Sequence, residues 1–215
     1  MYRHISTSLN QWQKSKDGDA IFQFEKFQIE SIINHYKVDS ALQLCGLPYI
    51  NLMNSSLDHY LLMVEPNEPL PIECSSIRAD IDILWPIKDS SFSAIIFSHT
   101  FERTQKGLDQ LIEEAHRVLN DDGLLIILSI SLTSLIGVKR LLQIDRNHWC
   151  QSLYSDFYLH NRLLGAGFEI LPSIEFQKKQ RWWFPNNIQK ASMLGYKMTI
   201  AQKKEIGVML NTSLN

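Results

Sequence analysis

Two short stretches of the chain, Ala94–Phe97 and Leu124–Leu128, are apolar at every position and bounded by turn-forming residues. Strands covered on both faces of a parallel sheet leave this pattern. Between them Leu108, Leu111, Ile112, Ala115, Val118 and Leu119 recur at helical spacing, with Gln110, Glu113, Glu114 and Arg117 on the opposite side. The spacing predicts a crossover helix with one face on a sheet and the other in solvent. Asn120-Asp121-Asp122-Gly123 then predicts a tight turn ending the helix, because Asn, Asp and Gly tolerate the left-handed conformation. Strand, helix and strand together make a βαβ unit.

The same reading extends along the chain. Asp19 is placed to cap a helix carrying Ile21, Phe22, Ile29, Ile32, Ile33 and Tyr36, widened by Phe24 and Phe27, which would cover part of the sheet or the mouth of a pocket. Ser40–Leu44, Tyr60–Val64, Ser76–Ala79 and a segment opening at Phe168 and running to Ile174 read as further strands. Ser134–Leu142 reads as a short helix with Lys139 and Arg140 outward. A second helix turns Phe157, Leu159, Leu163 and Leu164 inward and stops at Gly165 and Gly167. The segment from Lys203 to Asn215 reads as a loosely held tail.

Composition narrows the class. A chain of 215 residues is long enough for one domain with a full core, and a formal charge of −2 provides no electrostatic footprint for nucleic acid or an anionic membrane. Cys45, Cys74 and Cys150 are odd in number and lack CxxC spacing, which argues against a disulfide framework and for a reducing cytoplasm. The first residues have no apolar signal core, and the uncharged run Leu124–Val138 is shorter than the roughly 20 apolar residues of a spanning helix. His148 and Cys150 find no second pair at ligand spacing, so no metal site is expected. Lys178, Lys179, Arg181, Trp182 and Trp183 mix basic and aromatic residues as single-strand readers do, but five residues in an acidic chain suit a hairpin packed on the domain or a homodimer contact better, with a substrate lid as the next reading.

WPIKDSSFSAIIFSHTFE and HRVLNDDGLLIIL resemble the block around the fourth and fifth strands of class I S-adenosylmethionine-dependent methyltransferases, a pattern near LPFPDxSFDxVxxxxxLEH followed by RVLxPGGxLxI. Trp85-Pro86-Ile87 stands for Leu-Pro-Phe, Asp89 and Phe92 keep the acid and the aromatic, and Asp121-Asp122-Gly123 stands for Pro-Gly-Gly. ISLTSLIGVKRLL is similar to the NPWSLWGLRRLL segment of a bacterial, type-11-like branch of that superfamily. The resemblance implies an α/β fold: a Rossmann-like seven-stranded sheet, mostly parallel with an antiparallel last strand, and helices on both faces. Leu194–Ala201 fits that last strand, and QKKQRWWFPNN would join it to the strand before as a long hairpin connection. On this reading residues 1–215 are one domain, with an N-terminal helical cover over 1–37, a core over 38–203 and a tail over 204–215.

The resemblance also implies a site for S-adenosylmethionine. Leu44, Cys45 and Gly46 stand where the family bends a glycine-rich loop against the methionine end; this chain offers one glycine there, followed by Leu47 and Pro48. Glu65 stands at the end of the second strand, where a carboxylate accepts hydrogen bonds from both ribose hydroxyls. Asp82 with Ile83 stands for the adenine contact, with Asp80 as the other candidate. Ser98 and His99 follow the fourth strand, facing the methionine end or the acceptor, and His99 is the candidate for catalysis, cofactor or substrate lining, or plain hydrogen bonding. Two functions follow: methyl transfer to a small-molecule acceptor, or, because the Gly-x-Gly turn is lost, a non-catalytic methyltransferase-like domain that serves as an interaction partner.

Overall fold

The computed structural model describes residues 16–44, 57–66, 70, 74–101, 104, 107–130, 154–172 and 196–204. Among these residues three helices, α1 (Lys16–Tyr36), α2 (Leu108–Val118) and α3 (Asp156–Gly165), accompany seven strands. These are β1 (Ser40–Leu44), β2 (His59–Val64), β3 (Ser76–Arg78), β4 (Phe92–Ser98), β5 (Leu119–Ile130), β6 (Phe168–Leu171) and β7 (Tyr196–Lys203). They form one sheet in the order β3-β2-β1-β4-β5-β7-β6. The first five run parallel, and β7 is antiparallel to both β5 and β6. The architecture is the expected one.

The unbroken apolar runs follow from the pleat, which sends alternate side chains to opposite faces. From β4, Ile95 and Phe97 join one core with Leu108, Leu111, Ile112, Ala115 and Val118 of α2 and Leu159 and Leu163 of α3. Ala94 and Ile96 join the other with Ile29, Ile32 and Ile33 of α1. A strand buried on both sides is therefore dominated by apolar residues, with few polar ones such as Ser40, Gln43 and Ser98.

Several expectations are corrected. Helix α1 begins at Lys16, so Asp19 lies inside it rather than capping it, and Phe27 and Tyr36 fall at its exposed margin. Helix α2 ends with Leu119 already extended and paired to Phe92, while Ala94 pairs with Leu124. Residues 120–123 therefore form an excursion within β5 and do not end the helix. Asp122 takes the left-handed conformation (φ 59°), and a Cβ on Gly123 would meet the Asn120 carbonyl oxygen at 2.8 Å. Of the α3 residues expected inside, Phe157 and Leu164 face outward at 79% and 52% exposure, because the helix touches the core only along the Leu159 and Leu163 stripe. The third strand stops at Arg78, and the last is shifted to Tyr196–Lys203. The helix expected over 134–142 and the connection over 177–187 lie outside the described residues. Among the described residues no helix is long and apolar enough to cross a membrane.

Candidate functional site

Parallel pairing sets which residues share the carboxyl edge of the sheet. Ile77, Met63, Leu44, Phe97 and Ile127 form one row across β3, β2, β1, β4 and β5. Leu44 is fully buried at the end of β1. One step further, Val64 ends the pairing of β2 with β3 and Ser98, opposite Leu128, that of β4 with β5, and two steps further come Glu65 and His99. The register therefore brings Leu44, Glu65, Ser98 and His99 to one edge, on both sides of the β1–β4 boundary where the strand order reverses. Open α/β sheets bind ligands at that point. Cys45 and Gly46 lie outside the described residues.

Glu65 is 8% exposed, Ser98 1% and His99 6%. His99 adopts a left-handed backbone (φ 53°), which few residues other than glycine take up, and its amide donates to the Leu128 carbonyl at 2.9 Å. Its ring Nε2 lies 2.9 Å from Glu25 Oε1 of α1.

Beyond β3 the chain turns at Asp80, whose Oδ1 accepts the Asp82 amide at 2.9 Å. Asp82 is buried, and its Oδ1 accepts the Thr104 hydroxyl at 2.6 Å, so the segments after β3 and β4 are joined above the sheet edge. Ile83 is 47% exposed, an apolar surface beside a buried carboxylate. Asp82 and Ile83 thus lie beyond the β3 end of the same edge.

The segment from Ile81 to Ser91 is held from below by α2. Trp85 donates its ring N–H to the Ile81 carbonyl and packs edge-to-face on Phe97 with centroids 6.2 Å apart. Its amide donates to Glu114 Oε2 at 2.8 Å. Arg117 donates to Glu114, to Asp89 and to the carbonyls of Ile87 and Trp85. Glu114, expected on a solvated face, is consequently buried. Burial pushes its carboxyl up, but the Arg117 and Trp85 hydrogen bonds outweigh that and hold it below the ordinary range. The same contacts, that to Glu114 foremost, raise the Arg117 guanidinium. Asp89 and Arg117, acids and bases of two separate sequence blocks, are one clamp in space.

Sequence reasoning missed Glu25, Thr104 and the burial of Glu114. Glu25 carried a signal: with Gln28 it falls in the buried stripe of Phe24, Ile29, Ile32 and Ile33, where a purely structural helix places apolar residues. Thr104 carried none.

A family model described as "Methyltransferase domain" matches residues 49–127, a span that holds Glu65, Asp82, Ile83, Ser98 and His99 and begins after Gly46. No curated protein matches the chain. Among solved structures, a SAM-dependent methyltransferase of Thermotoga maritima is 15% identical, with 91% of this chain and 94% of that one covered at a TM-score of 0.61. One of Archaeoglobus fulgidus is 14% identical, covering 83% and 94% at 0.56. One of Mesorhizobium loti is 12% identical, covering 77% and 91% at 0.55. At such identities the likeness is one of fold. The matched block lies across β2 to β5 of a sheet in this order, and the chain has the Rossmann-like fold of these SAM-dependent methyltransferases.

Proposed function

We propose that the chain binds S-adenosylmethionine along the carboxyl edge of its sheet and transfers the sulfonium methyl to a small-molecule acceptor. The observation that carries this reading is Glu65, a carboxylate withdrawn from bulk water directly after β2, level with His99 across the β1–β4 boundary. A carboxylate carries two acceptor oxygens in one plane, which suits it to accept from two vicinal ribose hydroxyls. Asp82 addresses the adenine amino group, and the exposed Ile83 side chain packs on the ring. Leu44 and Ser98 border the methionine end, to which the family resemblance also assigns Cys45 and Gly46. The bound cofactor supplies an electrophilic methyl group. The chain's task is to align the acceptor with it and exclude water, which alone lowers the barrier substantially.

Titration calorimetry with S-adenosylmethionine and S-adenosylhomocysteine tests the reading. Wild type is expected to release heat with both, and Glu65→Ala to bind about a hundredfold more weakly, the loss of two charge-assisted hydrogen bonds. The second reading, a non-catalytic domain that acts as an interaction partner, is favoured by the start of the family match at residue 49, beyond the altered turn. Absence of heat at millimolar ligand selects it.

A further inference from the structure

Glu25 and His99 are 74 positions apart in sequence, 4% and 6% exposed, and within hydrogen-bond distance at 2.9 Å. Attachment of α1 does not require them, since Ile29, Ile32 and Ile33 of the same helix are already fully buried against the sheet. Their location is specific: His99 leaves the end of the central strand β4 in a left-handed conformation fixed by the Leu128 carbonyl. Backbone strain of this kind clusters where the position of a side chain matters.

Resting on the methyltransferase reading above, we propose that Glu25 and His99 form a proton-accepting pair beside the transferable methyl, and that the acceptor is a molecule methylated on an oxygen or nitrogen that carries a proton. Uptake of a proton by the imidazole turns its contact with Glu25 Oε1 at 2.9 Å into an ion pair, which is the geometry a proton-accepting histidine needs. The acceptor's lone pair forms the new bond to the methyl carbon as the carbon–sulfur bond breaks with its electrons on sulfur. The acceptor's proton passes to Nδ1, the ring nitrogen opposite the Glu25 contact, and S-adenosylhomocysteine leaves as a neutral thioether. Phenols, imidazoles and amines need such a group; thiolates and carboxylates, ionised already, do not. Of the charged groups around the ring, Glu25 faces it from α1, while Glu65 and Asp82 follow β2 and β3 along the same edge; Ser98 and Thr100 flank it on its own segment. Glu25 is the positioning residue and His99 the catalytic one.

The experiment has three readouts on wild type, Glu25→Gln and His99→Gln. Calorimetry with S-adenosylhomocysteine is expected to show affinities within about threefold of one another. Absence of heat with wild type would sink the methyltransferase reading and this one with it. Nitrogen-15 histidine spectra are expected to place the wild-type ring proton on Nε2, toward Glu25, and to show the His99 midpoint about one pH unit lower in Glu25→Gln. Because Gln keeps the shape and a hydrogen bond, a role confined to holding α1 leaves that midpoint unmoved. An unmoved midpoint, or a wild-type proton on Nδ1, overturns the pair while leaving cofactor binding intact. Transfer of labelled methyl to catechol, histamine and benzoate, a carboxylate ionised at neutral pH, is expected to favour the first two and to fall roughly a hundredfold in His99→Gln. Preference for the carboxylate, or unchanged transfer in that variant, overturns the proposal. With no probe methylated, the titration decides.

Discussion

The two edges of the sheet handle charge in opposite ways. At the amino ends of β1 and β4, Asp39, Ser40 and Ser93 form a closed network: Ser93 Oγ donates to Asp39 Oδ1 at 2.6 Å, Ser40 Oγ donates to the same oxygen at 2.8 Å, and the Ser40 amide donates to Ser93 Oγ at 3.0 Å. Hydrogen bonds from Ser93 and Ser40 hold the Asp39 carboxyl below its ordinary range. Nearby, the amides of Ser90 and Ser91 donate to the Arg117 and Val118 carbonyls that α2 leaves open at its end. At the carboxyl ends, Glu25, Glu65, Asp82 and His99 are each less than one-tenth exposed. Burying ionisable groups is expensive, and apolar residues of similar size would serve stability better. The first edge is arranged to hold the fold. The second keeps four ionisable groups buried at a cost in stability, as binding sites do.

Substitutions at the two edges should therefore separate stability from binding. The largest effect is expected from Arg117→Ala, which strands Glu114 under the Ile81–Ser91 segment: about 3 kcal/mol less stable in urea unfolding, with the affinity of the folded fraction for S-adenosylhomocysteine within about twofold. The pH dependence sharpens this. The depressed Glu114 group adds stability that is complete above the unfolded carboxylate value of about 4.3 and is lost as pH falls through its lower folded value. Wild type should lose that increment on acidification, and Arg117→Ala should have little of it left to lose. Asp82→Asn should do the reverse, weakening the ligand about tenfold in calorimetry while unfolding within about 0.5 kcal/mol of wild type, since Asn still accepts from Thr104. Ser93→Ala, the smallest, should cost about 1 kcal/mol in the same unfolding measurement and leave binding unchanged. A loss of affinity in Arg117→Ala equal to that in Asp82→Asn would break the comparison.

What could be read from the residues alone follows from what local patterns report. The runs at Ala94–Phe97 and Leu124–Leu128 were legible because a strand covered on both faces favours apolar side chains at consecutive positions. The α2 stripe was legible because its period matches the helix. Periodicity reports which face of a helix is apolar, and it is silent on what else folds over the polar face. Glu114 looked solvated for that reason, though the segment around Trp85 covers it. Phe157 and Leu164 show the converse, apolar residues on a helix that meets the core along a single line. The site was half legible. Glu65 and His99 could be located by counting from strand ends, whereas the Glu25–His99 and Asp82–Thr104 contacts join segments 74 and 22 positions apart and exist only once the sheet has assembled.

The position of β7 constrains the order of assembly. It is synthesised after every other described strand, yet it fills the gap between β5 and β6, pairing with β5 in seven consecutive rows and with β6 in four. Until it arrives, β5 presents an open, largely apolar border with unpaired backbone groups, the kind of template that recruits other chains. A nascent chain emerging from the ribosome would therefore spend an interval able to form β1 to β5 but not to seal them. Slow translation beyond Leu171 would lengthen that exposure and make the polypeptide a client for holding chaperones.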